Sequence, residues 1–129
     1  MARILVIDDD EASRAVIEEI LARKGHEVTL AGGGRAGLAE ARRQRFDLVL
    51  VDIIMPDIDG METITELREM SDALPIIAMS GSSPNSAGYL ETAKVLGADA
   101  ALAKPFTKSE LEDAVAAMLA VEQRARGSL

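Results

Sequence analysis

Polar residues able to do chemistry stand where apolar runs end. Asp8, Asp9 and Asp10 close RILVI, Asp52 closes LVLV, Ser80 closes PIIAM, and Lys104 follows ALA. If folding gathers those ends, then Asp8, Asp9, Asp52, Ser80 and Lys104 share one pocket. Three carboxylates forced together repel, so the pocket holds only if a cation neutralises them or protons raise their pKa values. The chain has no cysteine, so a metal must be held through oxygen. A few oxygen ligands, with room left for water and phosphate, fit Mg²⁺ better than a closed Ca²⁺ cage. A lysine facing the acids offers a point positive charge to a phosphoryl group, and a serine hydroxyl can donate to one of its oxygens. The set suits phosphoryl transfer onto a carboxylate, with Asp52 as the nucleophile and an aspartyl phosphate as the product. Mg²⁺ and Lys104 would stabilise charge on the transferring group. Taken singly, each residue has a duller explanation, since acids before a helix are usually N-caps and a Lys-Pro is usually a strand end. Their joint placement at four strand ends reverses that balance.

For the pocket to exist, a particular set of elements must carry it. Apolar runs of strand length alternate with stretches of helical period, the pattern of βα units around a parallel sheet. The spacing predicts strands at about Arg3–Ile7, Glu27–Leu30, Leu48–Val51, Ile76–Met79 and Ala101–Ala103. The first, third and fourth are apolar without alternation, as strands covered on both faces must be. The second, HEVTLA, alternates and suits an edge. The expectation is an α/β fold of three layers, α/β/α, with a five-stranded parallel sheet of order 2-1-3-4-5 and five helices. In such a sheet ligands bind beyond the carboxyl ends of the strands where the order reverses, here between strands 1 and 3.

The helices are legible by their stripes and stops. Val16, Ile17, Ile20 and Leu21 fall on one face of the first, which Gly25 ends. Leu38 and Ala41 mark the second, and Ile64 and Leu67 the third. Leu90, Ala93 and Leu96 mark the fourth, which Gly97 stops. Leu111, Val115, Met118 and Leu119 mark the fifth, with Ser109 or Thr107 as its cap. One domain over residues 1–122 is expected, with a polar, fraying C-terminal tail over 123–129.

The bulk properties narrow the function. The 129 residues allow one sizeable core and leave no room for a second domain. No apolar run reaches the ~18 residues of a membrane span, and three acids interrupt MARILVIDDD where a signal peptide would stay apolar. A cytoplasmic location is therefore expected. With 22 acids against 14 bases the formal charge is −8, which repels phosphate backbones, so no direct nucleic-acid binding is expected.

The stretches ILVIDDD, LVLVDIIMPDIDG and AKPF resemble the response-regulator receiver family, the CheY-like, flavodoxin-like domains, over about Arg3 to Leu119. The resemblance implies that Asp52 is phosphorylated, that Asp9 binds Mg²⁺ directly and Asp8 through water, and that Ile54 lends the metal its backbone carbonyl. It also implies that Ser80 is the switch hydroxyl, that Lys104 contacts the phosphoryl group and that the Lys104–Pro105 bond is cis. The phosphoryl group would come from a histidine kinase or a histidine phosphotransfer protein. The output would be an altered affinity for a downstream effector protein, a phosphorylation-dependent dimer, or onward relay. Ile54 and Ser82 occupy positions that in this family set phosphoryl lifetime, and an apolar Ile54 implies slow self-dephosphorylation. One departure stands out: many members carry Tyr or Phe three residues before the lysine, where this chain has Ala101. Tyr89, the sole tyrosine, needs no part in replacing it.

Two rival readings use the same residues. GlyGlyGlyArgAlaGly at 32–37 matches a dinucleotide-binding fingerprint, with Asp52 at a fitting distance. That reading needs a central strand before the motif and leaves Asp8, Asp9, Ser80 and Lys104 without work. Asp8 and Asp10 have the spacing of a haloacid-dehalogenase-like phosphatase, but the threonine- and glycine-bearing surroundings of that motif are missing. His26 begins a strand away from the pocket and reads as a solvated residue.

Overall fold

Backbone hydrogen bonding organises the chain as predicted, with strand ends that move by a residue. The computed structural model describes residues 1–53, 60–81 and 86–127, without the side chains of 86, 87, 89, 90 and 121–127. The elements are β1 (Arg3–Ile7), α1 (Glu11–Arg23), β2 (Glu27–Ala31), α2 (Gly34–Arg43), β3 (Leu48–Asp52), α3 (Gly60–Met70), β4 (Ile76–Ser80), α4 (Ser86–Leu96), β5 (Ala100–Ala103) and α5 (Lys108–Gly127). All strand pairs are parallel, in the order β2-β1-β3-β4-β5. The strand read as an edge, β2, is one.

Side chains alternate across the strands, and each face has its own core. Leu5, Ile7, Val49, Val51, Ile76 and Ala78 pack under Leu38, Ile64, Leu67 and Ala93 of α2, α3 and α4. Ile4, Val6, Leu48, Leu50, Ile77 and Met79 pack under Ile17, Leu21, Leu111 and Val115 of α1 and α5. The strands read as doubly covered are therefore buried on both sides. Gly25 (φ 87°) and Gly97 (φ 131°) end α1 and α4 in the conformation that glycine adopts most cheaply.

One expectation about the helices needs correction. Val16 is 55% exposed, so the buried face of α1 is built on Ile17 and Leu21 with Ile20 at its margin. α5 runs as helix through Gly127, and Glu122, Gln123, Arg124, Ala125 and Arg126 are all strong helix formers. At the other end of α5, the Thr107 hydroxyl accepts from Glu110 N–H (3.0 Å) while Glu110 accepts from Thr107 N–H (2.8 Å), a reciprocal cap. No helix is long and apolar enough to cross a membrane among the described residues.

The glycine-rich stretch has a packing role. Gly37 lies in α2 directly over β1, where a Cβ would overlap Ile7 Cδ1 and Cγ1. The glycine-rich stretch follows β2, an edge strand, and so lacks the central strand before it that the dinucleotide reading needs.

Candidate functional site

The five predicted residues converge at the carboxyl end of the sheet, Asp8 and Asp9 just after β1, Asp52 on β3, Ser80 on β4 and Lys104 just after β5. Asp52 and Ser80 are the last residues of their strands and not the first beyond them, so the ladder itself positions them: Asp52 aligns with Met79 and Ser80 with Ala103. The Lys104 N–H donates to Ser80 O at 2.7 Å, which continues that ladder and aims the lysine across the pocket. Its ammonium donates to Asp8 Oδ2 at 2.6 Å and to Asp52 Oδ2 at 3.2 Å. Carboxylate oxygens of Asp8, Asp9 and Asp52 lie within 4.8 Å of one another. The Lys104–Pro105 bond is cis.

Burial sharpens the electrostatics. Asp8 is fully buried, Asp52 nearly so, and Asp9 opens to solvent. Burial pushes the Asp8 carboxyl up, but hydrogen bonds from Lys104, Asp10 N–H and Ser13, together with the lysine charge, outweigh it and hold the group below 3.8. Burial likewise pushes Lys104 down, and Asp8 and Asp52 reverse that to leave it above 10.5. The lysine is therefore a fixed cation at neutral pH. Three carboxylates against one ammonium leave two negative charges in a small volume, a deficit that a divalent ion matches. The buried Ser80 hydroxyl has no hydrogen-bond partner among the described residues. A buried hydroxyl at the end of β4, without a partner among the described residues, can donate to an acceptor such as a phosphoryl oxygen.

Three supporting residues escaped the sequence reading. Ser13 bonds the Asp8 carboxylate, and Arg14 Nη1 donates to Asp8 O at 2.7 Å. Both sit in the first turn of α1 after the Asp10 cap, which accepts from Ala12 N–H at 3.1 Å, so helical spacing from that cap is the signal that could have found them. Gly60 opens α3 directly against the end of the Asp52 strand, where a Cβ would overlap Asp52 O and Ile53 Cα. Ala101 lies in β5 opposite Ala78, half-buried. Ile54, Ser82 and the Tyr89 side chain lie outside the described residues. His26 is half-buried and accepts from Ala2 N–H at 3.2 Å, a bonded residue where a solvated one was expected.

Comparison with known proteins agrees with this geometry. The response regulator receiver domain family matches residues 4–116. The response regulator MprA of Mycolicibacterium vanbaalenii is 38% identical over 117 residues, 91% of this chain and 50% of that protein. The transcriptional regulatory protein PrrA of Mycobacterium tuberculosis is 38% identical over 128 residues, 98% of this chain and 52% of that protein. The chain thus spans about half the length of these relatives. Among solved structures, a CheY-like receiver domain protein from Methanospirillum hungatei superposes with a TM-score of 0.91 at 29% identity, covering 97% of this chain and 98% of that one. Sequence, sheet order and pocket agree, and the chain belongs to the response regulator receiver family, the phosphoacceptor domains of two-component signal transduction.

Proposed function

We propose that Asp52 is the phosphoacceptor, and that Asp8, Asp9, Asp52 and the backbone carbonyl of Ile54 hold Mg²⁺ while Lys104 and Ser80 hold the transferred group. The observation that carries this reading is the pairing of the Lys104 ammonium with both Asp8 and Asp52, at the same sheet end as a buried Ser80 hydroxyl that has no partner among the described residues. A carboxylate oxygen of Asp52 attacks phosphorus, and the P–N bond of a donor phosphohistidine breaks. The imidazole nitrogen keeps that electron pair and takes up a proton. Lys104 neutralises charge on the phosphoryl oxygens, and the Ser80 hydroxyl donates to one of them. Bound Mg²⁺ would supply a second positive charge to the same oxygens.

The donor is a histidine kinase or a histidine phosphotransfer protein. Phosphorylation shifts a two-state equilibrium and thereby the affinity for an effector protein, or the phosphoryl group passes onward in a relay. Slow self-dephosphorylation follows from an apolar Ile54, and phospho-Asp52 should be lost markedly faster in Ile54→Asn. An unchanged lifetime in that variant means that the Ile54 side chain does not shield phospho-Asp52 from water. The net charge of −8 keeps this domain off nucleic acid and suits a cytoplasmic setting. The test is incubation with Mg²⁺ and acetyl phosphate, wild type beside Asp52→Asn, followed by intact mass. One phosphoryl mass on the wild type alone is expected. The same mass on both, or on neither, overturns the reading.

A further inference from the structure

Asp9 is the weakest-held member of the acid trio. Asp8 is buried and held by Lys104, Asp10 N–H and Ser13, and Asp52 is bonded to Lys104 within β3. Asp9 is exposed, and among the described residues no side-chain hydrogen bond or ion pair of its own accounts for its position beside the other two. The direction of its side chain is therefore set by the backbone, and first by the peptide joining Asp8 to Asp9. That peptide sits where the sheet gives out. Asp8 N–H donates to Ala31 O at 3.1 Å, the last rung between β1 and β2. Beyond Ala31 the β2 strand has ended, so the Asp8 carbonyl has no ladder donor from that side.

Arg14 supplies the missing donor. Its Nη1 reaches the Asp8 carbonyl at 2.7 Å from the first turn of α1, a charge-assisted bond within the normal range. Its guanidinium lies against Gly32, where a Cβ would sit 3.3 Å from Nη1 and 3.7 Å from Cζ, so a bare glycine backbone leaves it the room it occupies. Arg14 is half-buried, and its N–H is already held by Asp10 O at 3.0 Å. The helix end, the arginine and the glycine form one assembly around the Asp8–Asp9 peptide.

We propose that Arg14 is a positioning residue for divalent-ion binding: by fixing the Asp8–Asp9 peptide plane against Gly32, it aims the Asp9 carboxylate at the site shared with Asp8 and Asp52. The proposal rests on the Mg²⁺ reading above. It makes a prediction whose sign separates positioning from charge. If Arg14 acted only as a nearby cation, its removal would relieve repulsion and tighten Mg²⁺ binding. If it positions Asp9, its removal weakens binding, and outer-shell partners of metal ligands typically contribute about 10–100-fold.

The experiment is calorimetric titration of the metal-free protein with magnesium chloride, using wild type, Arg14→Gln, Arg14→Lys, Gly32→Val and Asp9→Asn. Thermal unfolding serves as the check that each variant is folded. Roughly tenfold weaker Mg²⁺ binding is expected for Arg14→Gln, with Gly32→Val weakened in the same direction because the valine displaces the guanidinium. Arg14→Lys keeps the charge but loses the planar donor, so it should also bind more weakly than wild type. Binding by a folded Arg14→Gln, or by Arg14→Lys if the first does not fold, that equals or exceeds wild type overturns the proposal. In that case normal Mg²⁺ binding by wild type and its loss in Asp9→Asn would leave the metal reading standing. A wild type that binds no Mg²⁺ removes both.

Discussion

The two ends of the sheet carry polar networks of opposite character. At the amino end of the strands, Arg68 at the close of α3 donates to the carbonyls of Gly97, Ser71, Asp72 and Leu74, with distances from 2.6 to 3.2 Å, and to Asp99 Oδ2 at 3.0 Å. Asp99 in turn accepts from Ile76 N–H at 2.8 Å, and Asp47 accepts from Arg3 N–H at the same distance. One cation there satisfies carbonyls from two chain segments, the α3–β4 and α4–β5 loops. At the carboxyl end, one cation faces three acids, and a buried hydroxyl has no partner among the described residues. The first network ties strand entries to helix exits, whereas the second leaves charge and a donor uncompensated at a place that a ligand can reach. Polar groups at both ends are costly to bury, and only the satisfied end recovers that cost from within the chain.

Substitutions at the two ends should change stability in opposite directions. Arg68→Ala should have the largest effect, a loss of about 3 kcal/mol in urea unfolding, because several carbonyls and Asp99 lose a charged donor at once. A loss under about 1 kcal/mol would mean that water replaces the arginine and that the amino end is no clamp. Asp52→Asn should do the reverse in metal-free buffer. Removing one of three crowded carboxylates, while Asp8 retains Lys104, should raise stability by about 1–2 kcal/mol as phosphorylation disappears. Ser80→Ala should sharpen the contrast, with a gain of about 1 kcal/mol from deleting an unsatisfied buried hydroxyl and slower phosphorylation by acetyl phosphate. If Ser80→Ala is destabilised instead, the hydroxyl is not orphaned in solution.

The smallest effect belongs to His26, at the amino end. Burial, the N-terminus and Lys24 hold its pKa below 6.5, and its Nδ1 accepts from Ala2 N–H, which requires the neutral ring. The folded state therefore binds the proton less readily than the unfolded chain. Stability from this group is complete above pH 6.5 and falls as pH drops through the lower folded-state pKa. Unfolding curves between pH 7 and 5 should show the decline, and His26→Asn should flatten it. A decline of equal size in that variant would assign it to other groups.

Much of this molecule was legible from residue order because the signals are local. Unbroken apolar runs marked β1, β3 and β4 as doubly covered, Gly25 and Gly97 marked helix ends, and polar residues at the strand ends named the pocket. The parallel order then made their convergence a matter of topology. What the order of residues could not convey depends on orientation and on the backbone. Val16 and Ile17 are neighbours in sequence yet ~100° apart around α1, and only the packed helix decides which one is buried. The acceptors of Arg14 and Arg68 are mostly backbone carbonyls, which every residue carries and no sequence pattern marks. Residue types therefore determined which chemistry could be assembled. Three-dimensional packing decided which carbonyl each arginine meets, which acid Lys104 holds most tightly and which hydroxyl lacks a partner among the described residues, because those outcomes depend on distances that close only when the helices dock on the sheet.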